Sequence, residues 1–354
     1  MTSLIQPLFE GPIDIVGDVH GEFDALRALL HRLGYDTNGI HPRGRRLVFV
    51  GDLCDRGPDS PGVIAFVRAL VEQEKAQCII GNHELNLLRG EHKHGNHWYY
   101  GDADPKHEAE FGPCRLASSS EAADMASFLK TLPLALEHSA LRVVHAAWDA
   151  RSIDACRRWS GDVGSAFETF EAEARSDEWH RLKSARDEEK SLHAAVLKDP
   201  GWAAPRPLEA LAAYDEYAQV SNPVRVLTSG IERPTATPFF AGGQWRFVER
   251  VRWWRDYGEP PRVVFGHYWR WWDPAVQKAL SKGEPYLFAD EPPAGWHRNQ
   301  AGAEVAFCAD YSAGVRYRER KKGGLAPFHG RLAAMRWPER TVVFDDEAAN
   351  GVTH

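Results

Sequence analysis

The chain repeats one device. A short apolar run stops at glycine or gives way at once to Asp, His or Asn. "IDIVGDVHG" ends at Asp18 and His20, "RLVFVGDLCDRG" at Asp52, and "AQCIIGNHE" at Asn82 and His83. "LRVVHAAW" ends at His145, "PRVVFGHYW" at His267 and "VAFCADYS" at Asp310, while "RTVVFDD" supplies a last strand. Runs of Val, Ile and Phe bounded by Gly predict buried strands. Polar side chains at the mouth of such a strand are costly unless something pairs with them. In open α/β sheets, ligands sit just outside the carboxyl ends of the strands.

Helices alternate with the first strands. Phe23, Leu26, Leu29, Leu30 and Leu33 recur at helical spacing, and Gly34 suits the stop. In "DSPGVIAFVRALVEQ", Ser60 is the expected N-cap and Pro61 the first helical residue. The rhythm predicts βαβ units and an α/β fold. Residues 91–125, with His92, His94, His97 and His107, read as a long polar loop. Residues 150–222 read as a charged helical insert. Both lie between strands and are candidates to cover a site. The basic run "RYRERKKGG" reads as a solvated loop.

Composition narrows the class. Apolar residues make up 43% and charged residues 26% of the 354 residues, as in ordinary globular proteins. A net charge of −7 argues against a dedicated nucleic-acid binder. No apolar run is long enough to span a bilayer. The five cysteines are scattered without CxxC, and the first residues carry no basic segment followed by a long apolar stretch. Reduced thiols and a cytoplasmic location are therefore expected.

Asp18, His20, Asp52, Asn82, His145 and His267 form a hard-to-borderline ligand set that suits Mn, Fe, Zn or Ni. Six ligands exceed a closed four-coordinate zinc site. They suit two ions sharing one carboxylate, which clamp a phosphoryl group and activate water. Arg56 offers a planar fork for phosphate oxygens. Asp55 beside it is expected to hydrogen-bond an imidazole, and His83 needs such a partner to act as an acid.

"GDVHG", "GDLCDRG", "GNHE", "VVHA" and "FGHYW" together resemble the calcineurin-like metallophosphoesterases. The first three blocks, with Arg56 and Glu84, resemble the serine/threonine phosphoprotein-phosphatase branch, and "GDLCDRGPDS" resembles bacterial members related to symmetrical dinucleoside tetraphosphatases. The resemblance implies a metallophosphoesterase-type central β-sandwich flanked by helices. Residues 1–149 and 223–354 would form that domain, with 150–222 as its helical insert or cap. It implies Asp18 and His20 on one metal, Asp52 bridging, and Asn82, His145 and His267 on the other. The ions would be two divalent or trivalent transition metals, manganese first, then iron or zinc. A metal-bridging hydroxide would attack phosphorus, and His83, paired with Asp55, would protonate the leaving alkoxide.

Departures from the family are informative. Cys54 replaces the usual valine, and His145 is followed by Ala146, Ala147 and Trp148 where protein phosphatases have two glycines. A second phosphate-binding arginine is expected upstream of His267. Arg252 is the choice, with Arg225 and Arg246 as rivals. Asp310 is a candidate to orient a ligand, and the histidines of 92–97 a candidate extra metal site. Trp253, Trp254, Tyr268, Trp269, Trp271 and Trp272 either pack a core or stack a nucleobase. The expected activity is phosphomonoester or phosphoprotein hydrolysis. The alternatives are symmetrical dinucleoside polyphosphate hydrolysis and a non-catalytic nucleotide-binding relative. The expected partner is a phosphorylated small molecule, nucleotide or phosphoprotein, with no membrane.

Overall fold

A computed structural model describes residues 3–202, 206–273, 276 and 285–346. Its strands are β1 (Ile5–Pro7), β2 (Ile13–Val16), β3 (Arg46–Phe49), β4 (Ala76–Cys78), β5 (Ala135–Glu137), β6 (Leu141–Val144), β7 (Glu232–Ala241), β8 (Gln244–Arg250), β9 (Arg262–Phe265), β10 (His297–Arg298), β11 (Glu304–Cys308), β12 (Ala333–Trp337) and β13 (Thr341–Phe344). One sheet runs β1-β5-β6-β9-β11-β10 and a second runs β13-β12-β2-β3-β4, while β7 and β8 form a separate hairpin. β2, β3 and β4 are parallel, as are β6, β9 and β11.

Alternation along the strands makes the sandwich. Ile13, Ile15, Val48, Val143, Val264, Phe307 and Met335 share one buried cluster between the sheets. The opposite faces, with Val16, Phe49, Val144 and Phe265, join a larger core that includes Leu26, Leu29, Val63 and Val67 from the helices. This is the helix-flanked sandwich expected from the sequence.

Asp14 also lies in β2, yet it is fully buried. Arg45 meets it through two nitrogens at 2.8 and 2.9 Å, Arg336 donates at 3.0 Å, and the Tyr35 hydroxyl at 2.8 Å. Removing one partner of such a network leaves buried charge uncompensated. Asp14→Ala is expected to cost about 3–5 kcal/mol in denaturant unfolding. A loss below about 1 kcal/mol, the scale of an exposed pair, would contradict this.

Two local readings change. The helix Ser60–Glu72 is capped by Asp59, whose side chain accepts from Gly62 N–H. Ser60 is otherwise engaged, because its hydroxyl accepts from Asp55 N–H at 2.9 Å. The stretch 91–125 is not one loop. Asp104 caps a helix at Pro105–Phe111, and Ser118 with Glu121 forms a capping box for Ser119–Leu129.

Residues 150–222 are helical at Ala150–Arg157, Val163–Glu173, Asp177–Leu192 and Glu209–Val220. Leu197, Leu208, Leu211 and Ala212 pack with Phe247 and Val248 of the β7–β8 hairpin in a small separate cluster. No helix among the described residues is long and apolar enough to cross a membrane.

Candidate metal centre

The sandwich brings the ends of β2, β3, β4, β6 and β9 together. Four of the residues there, His20, Asp52, Arg56 and His267, have positive φ (49°, 48°, 72° and 68°), as does Asp55 at 74°. That region is disfavoured for side chains bearing Cβ. Neighbouring glycines make room. A Cβ on Gly81 would stand 2.2 Å from Asp52 Oδ1, and one on Gly266 would stand 2.1 Å from Asp18 Oδ1.

Asp52 sits between two groups of imidazoles. Its Oδ2 lies 3.8 Å from His20 Nε2 and 3.9 Å from His83 Nε2. Its Oδ1 lies 3.4 Å from His145 Nε2. His20–Asp52–His83 and Asp52–His145–His267 each present donor atoms within 4.8 Å of one another, so Asp52 is common to both. Asn82 Oδ1 adds to the second group, 3.2 Å from His145 Nε2 and 2.9 Å from His267 Nδ1.

The backbone sets the tautomers. His20 Nδ1 is 3.0 Å from the Cys54 carbonyl and His145 Nδ1 is 2.7 Å from the Val50 carbonyl. A carbonyl only accepts, so both Nδ1 atoms carry hydrogen and both Nε2 atoms face inward. Burial, then the nearby Arg56 charge, lowers the pKa of His20 well below the usual histidine value. Burial and Arg250 do the same for His267. Burial would also lower His145, but the Asp52 carboxylate overrides it and raises that pKa to about 10. Burial would raise the pKa of Asp52, yet His145 and His83 hold it well below the carboxylate range.

Asp18 Oδ2 accepts from His267 N–H at 3.0 Å, but its buried Oδ1 has no protein partner. Asp310 Oδ2 is likewise unpartnered, while its Oδ1 accepts from Ser312 N–H at 2.7 Å. Burial pushes Asp310 up to about 6. Orphaned carboxylate oxygens, inward imidazole nitrogens and an amide oxygen fit cations of the hard-to-borderline class.

His83 stands apart through its partners. Its Nδ1 is 2.5 Å from Asp55 Oδ2, and Trp98 Nε1–H donates to Asp55 Oδ1 at 2.7 Å. Arg56 donates to Nε2 of both His20 (3.1 Å) and His83 (2.9 Å). The expected Asp55–His83 pairing and the placement of Arg56 are thus present. The geometry also makes His83 Nε2 part of the first donor group, with His20 and Asp52.

Glu84, unexplained by sequence, ties the loops together. Its carboxylate accepts from Asp52 N–H (2.9 Å), Leu53 N–H (2.7 Å) and Gly81 N–H (2.9 Å). Cys54 donates its thiol to the same carboxylate at 3.2 Å. Trp98 was missed because it lies within the histidine-rich stretch, far in sequence from Asp55.

A cavity of about 260 Å³ opens beside the cluster. Asp52, Arg56, Asn82, His83, Arg250 and His267 line it, together with Tyr268, Trp269, Trp271, Tyr286 and Phe288. Arg252 is not brought to it; its guanidinium pairs with Asp290 at 2.5 Å. Arg225 pairs with Glu171, and Arg246 reaches the Ala241 carbonyl. Arg250 was overlooked, although it ends a strand as the other site residues do. Residues 150–222, among those described, do not line the cavity; its wall comes from Arg250, from His267, Tyr268, Trp269 and Trp271, and from Pro285, Tyr286, Leu287 and Phe288.

The aromatic residues divide. Trp253 and Trp254 are buried away from the cavity, with Trp254 stacked on Phe265 and Phe288, and Trp253 Nε1–H donating to the Ala146 carbonyl. Tyr268, Trp269 and Trp271 line the cavity, whereas Trp272 packs on Phe344. Among the described residues, the histidines of 92–107 form no third donor group. His92 stacks on Tyr100, and His97 stacks on His107.

The chain is similar to several known proteins. Residues 11–192 match the family described as calcineurin-like phosphoesterase. The bis(5'-nucleosyl)-tetraphosphatase (asymmetrical) of Anoxybacillus flavithermus is 52% identical over 79 residues, 22% of this chain and 32% of that protein. The enzyme of the same name from Bacillus subtilis is 47% identical over 79 residues, again 22% and 32% of the two chains. The chain thus spans about a third of the length of these relatives. A solved putative diadenosine tetraphosphatase aligns over 97% of both chains at 18% identity and a TM-score of 0.41. Because the match at residues 11–192 covers just over half of its length, the chain belongs to the calcineurin-like phosphoesterase family.

Proposed function

We propose that the protein is a dinuclear-metal-dependent phosphoester hydrolase acting on a small phosphorylated organic molecule. The observation that carries this is Asp52, whose two oxygens face two different donor groups. His20 and Asp52, with Asp18, would hold one ion. Asp52, Asn82, His145 and His267 would hold the other. Manganese is the first choice, with iron or zinc as alternatives. When bound, two such ions polarise the phosphoryl group and acidify coordinated water.

The chain's own residues do the rest. Arg56 receives the phosphate oxygens in its planar fork, aided by the positive charge of Arg250. In turning to phosphate, Arg56 leaves Nε2 of His83, which then takes a proton from solvent and passes it to the leaving oxygen. Asp55 fixes the His83 ring through Nδ1, and Trp98 fixes Asp55.

The aromatic side of the cavity favours a flat organic group over a protein surface. The names of the relatives put dinucleoside polyphosphates first among such molecules. Phosphoprotein hydrolysis is the second reading. A panel of an aryl phosphate, a phosphopeptide and diadenosine tetraphosphate separates these. Activity should vanish on chelation and return with manganese. Turnover that resists chelation would overturn the proposal. Products distinguish symmetrical cleavage (two nucleoside diphosphates) from asymmetrical cleavage (a triphosphate and a monophosphate).

A further inference from the structure

The basic run 316–322 does not behave as a uniform solvated loop. It forms a short helix, Arg316–Lys321, after β11. Arg316 pairs with Asp345 at 2.7 Å, Arg320 with Glu22 at 2.7 Å, and Lys321 with Glu110. Lys322 is exposed at the helix end. Arg318 differs. Among the described residues it meets no carboxylate within 4 Å; its Nε donates to the Tyr317 hydroxyl at 3.0 Å.

Arg318 lies against an aromatic residue of the cavity instead. Its guanidinium carbon lies 5.3 Å from the centre of the Trp269 ring, and that of Arg56 lies 5.3 Å from the same ring. Trp269 lines the cavity. Burial and the charge of Arg56 together hold Arg318 below its ordinary pKa. His94 feels both guanidinium charges, and the nearest acid, Glu110, is already bonded to Lys321. Two cations thus share one aromatic ring and feel each other's charge, and among the described residues no carboxylate lies within 4 Å of the second. Keeping like charges close is unfavourable unless an anion joins them.

We propose that Arg318 is the seat of a second phosphoryl group, so that the site reads a phosphate chain rather than a lone monoester. Arg56 serves the phosphoryl group that reacts, and Arg318, on the same tryptophan, serves the next one along the chain. This rests on the phosphoester-hydrolase reading for its catalytic consequence, but not for its binding consequence. It makes Arg318 a specificity residue for substrates carrying a phosphoanhydride.

The test compares wild type, Arg318→Ala, Arg318→Lys and a control on the same helix, Lys322→Ala. Affinity for inorganic triphosphate and for inorganic phosphate is measured by calorimetry. Turnover of diadenosine tetraphosphate and of an aryl phosphate is measured on the manganese-loaded protein. Losing one charge-assisted contact should lower the triphosphate-to-phosphate affinity ratio about tenfold in Arg318→Ala. The ratio of kcat/KM for the two substrates should fall by a similar factor, Arg318→Lys should recover part of it, and Lys322→Ala should match wild type. Unchanged ratios in Arg318→Ala, or equal losses in Lys322→Ala, overturn the proposal. If wild type turns over neither substrate, the hydrolase reading fails while the affinity ratio still decides the role of Arg318.

Discussion

Asp52→Asn is expected to strip metal from the protein and to cut turnover by about three orders of magnitude or more. The reason is geometric. One oxygen of Asp52 faces His20 and His83, and the other faces His145, so this one carboxylate belongs to both donor groups. Asparagine keeps the shape and can still accept from His83 N–H, which Asp52 Oδ1 does at 3.0 Å. It loses the negative charge that would balance two cations. Metal catalysis of this kind supplies several kcal/mol, and each 1.36 kcal/mol is tenfold in rate. Elemental analysis of the purified variant reads the metal, and circular dichroism confirms that the sandwich remains. A variant that retains two equivalents of metal at wild-type rate would refute the bridging role.

His83→Asn should behave differently. It leaves Asp52 in place, together with His20, His145 and His267. Metal content should therefore fall far less than in Asp52→Asn, while rate falls by about 10²–10⁴-fold, the range for a positioned proton donor. The loss should be steepest for alkyl leaving groups, which need the proton, and shallow for nitrophenolate, which does not. Asp55→Asn should reproduce the leaving-group dependence in weaker form, because Asp55 acts only through His83 Nδ1. A uniform loss across leaving groups would assign His83 to the first metal group instead. His83 Nε2 lies 3.9 Å from Asp52 Oδ2, which is why the leaving-group series is the deciding measurement.

What could be read from the chain follows the range of the interactions. The strand ends were legible because the signal is local: an apolar run, a glycine and a polar residue within a few positions. Helix Phe23–Leu33 and its glycine stop were legible for the same reason. The choice of arginine was not. Arg250 and Arg252 are two residues apart, and only the hairpin pairing of β7 with β8 decides which one reaches the cavity. Trp98 and Glu84 act through partners on other loops, and no local pattern announces a hydrogen bond to Asp55 or to three backbone amides. The basic run was read by composition alone, which cannot tell Arg318 from its paired neighbours.

The left-handed backbone at His20, Asp52, Asp55, Arg56 and His267 sets stability and chemistry against each other. Glycine is the residue that relaxes such a conformation without steric cost, yet glycine at any of these positions deletes a working side chain. Selection for heat resistance alone would thus favour changes at the very positions that do the chemistry. Directed evolution of this scaffold needs activity in every round, because its easiest gains in robustness lead toward an inert protein.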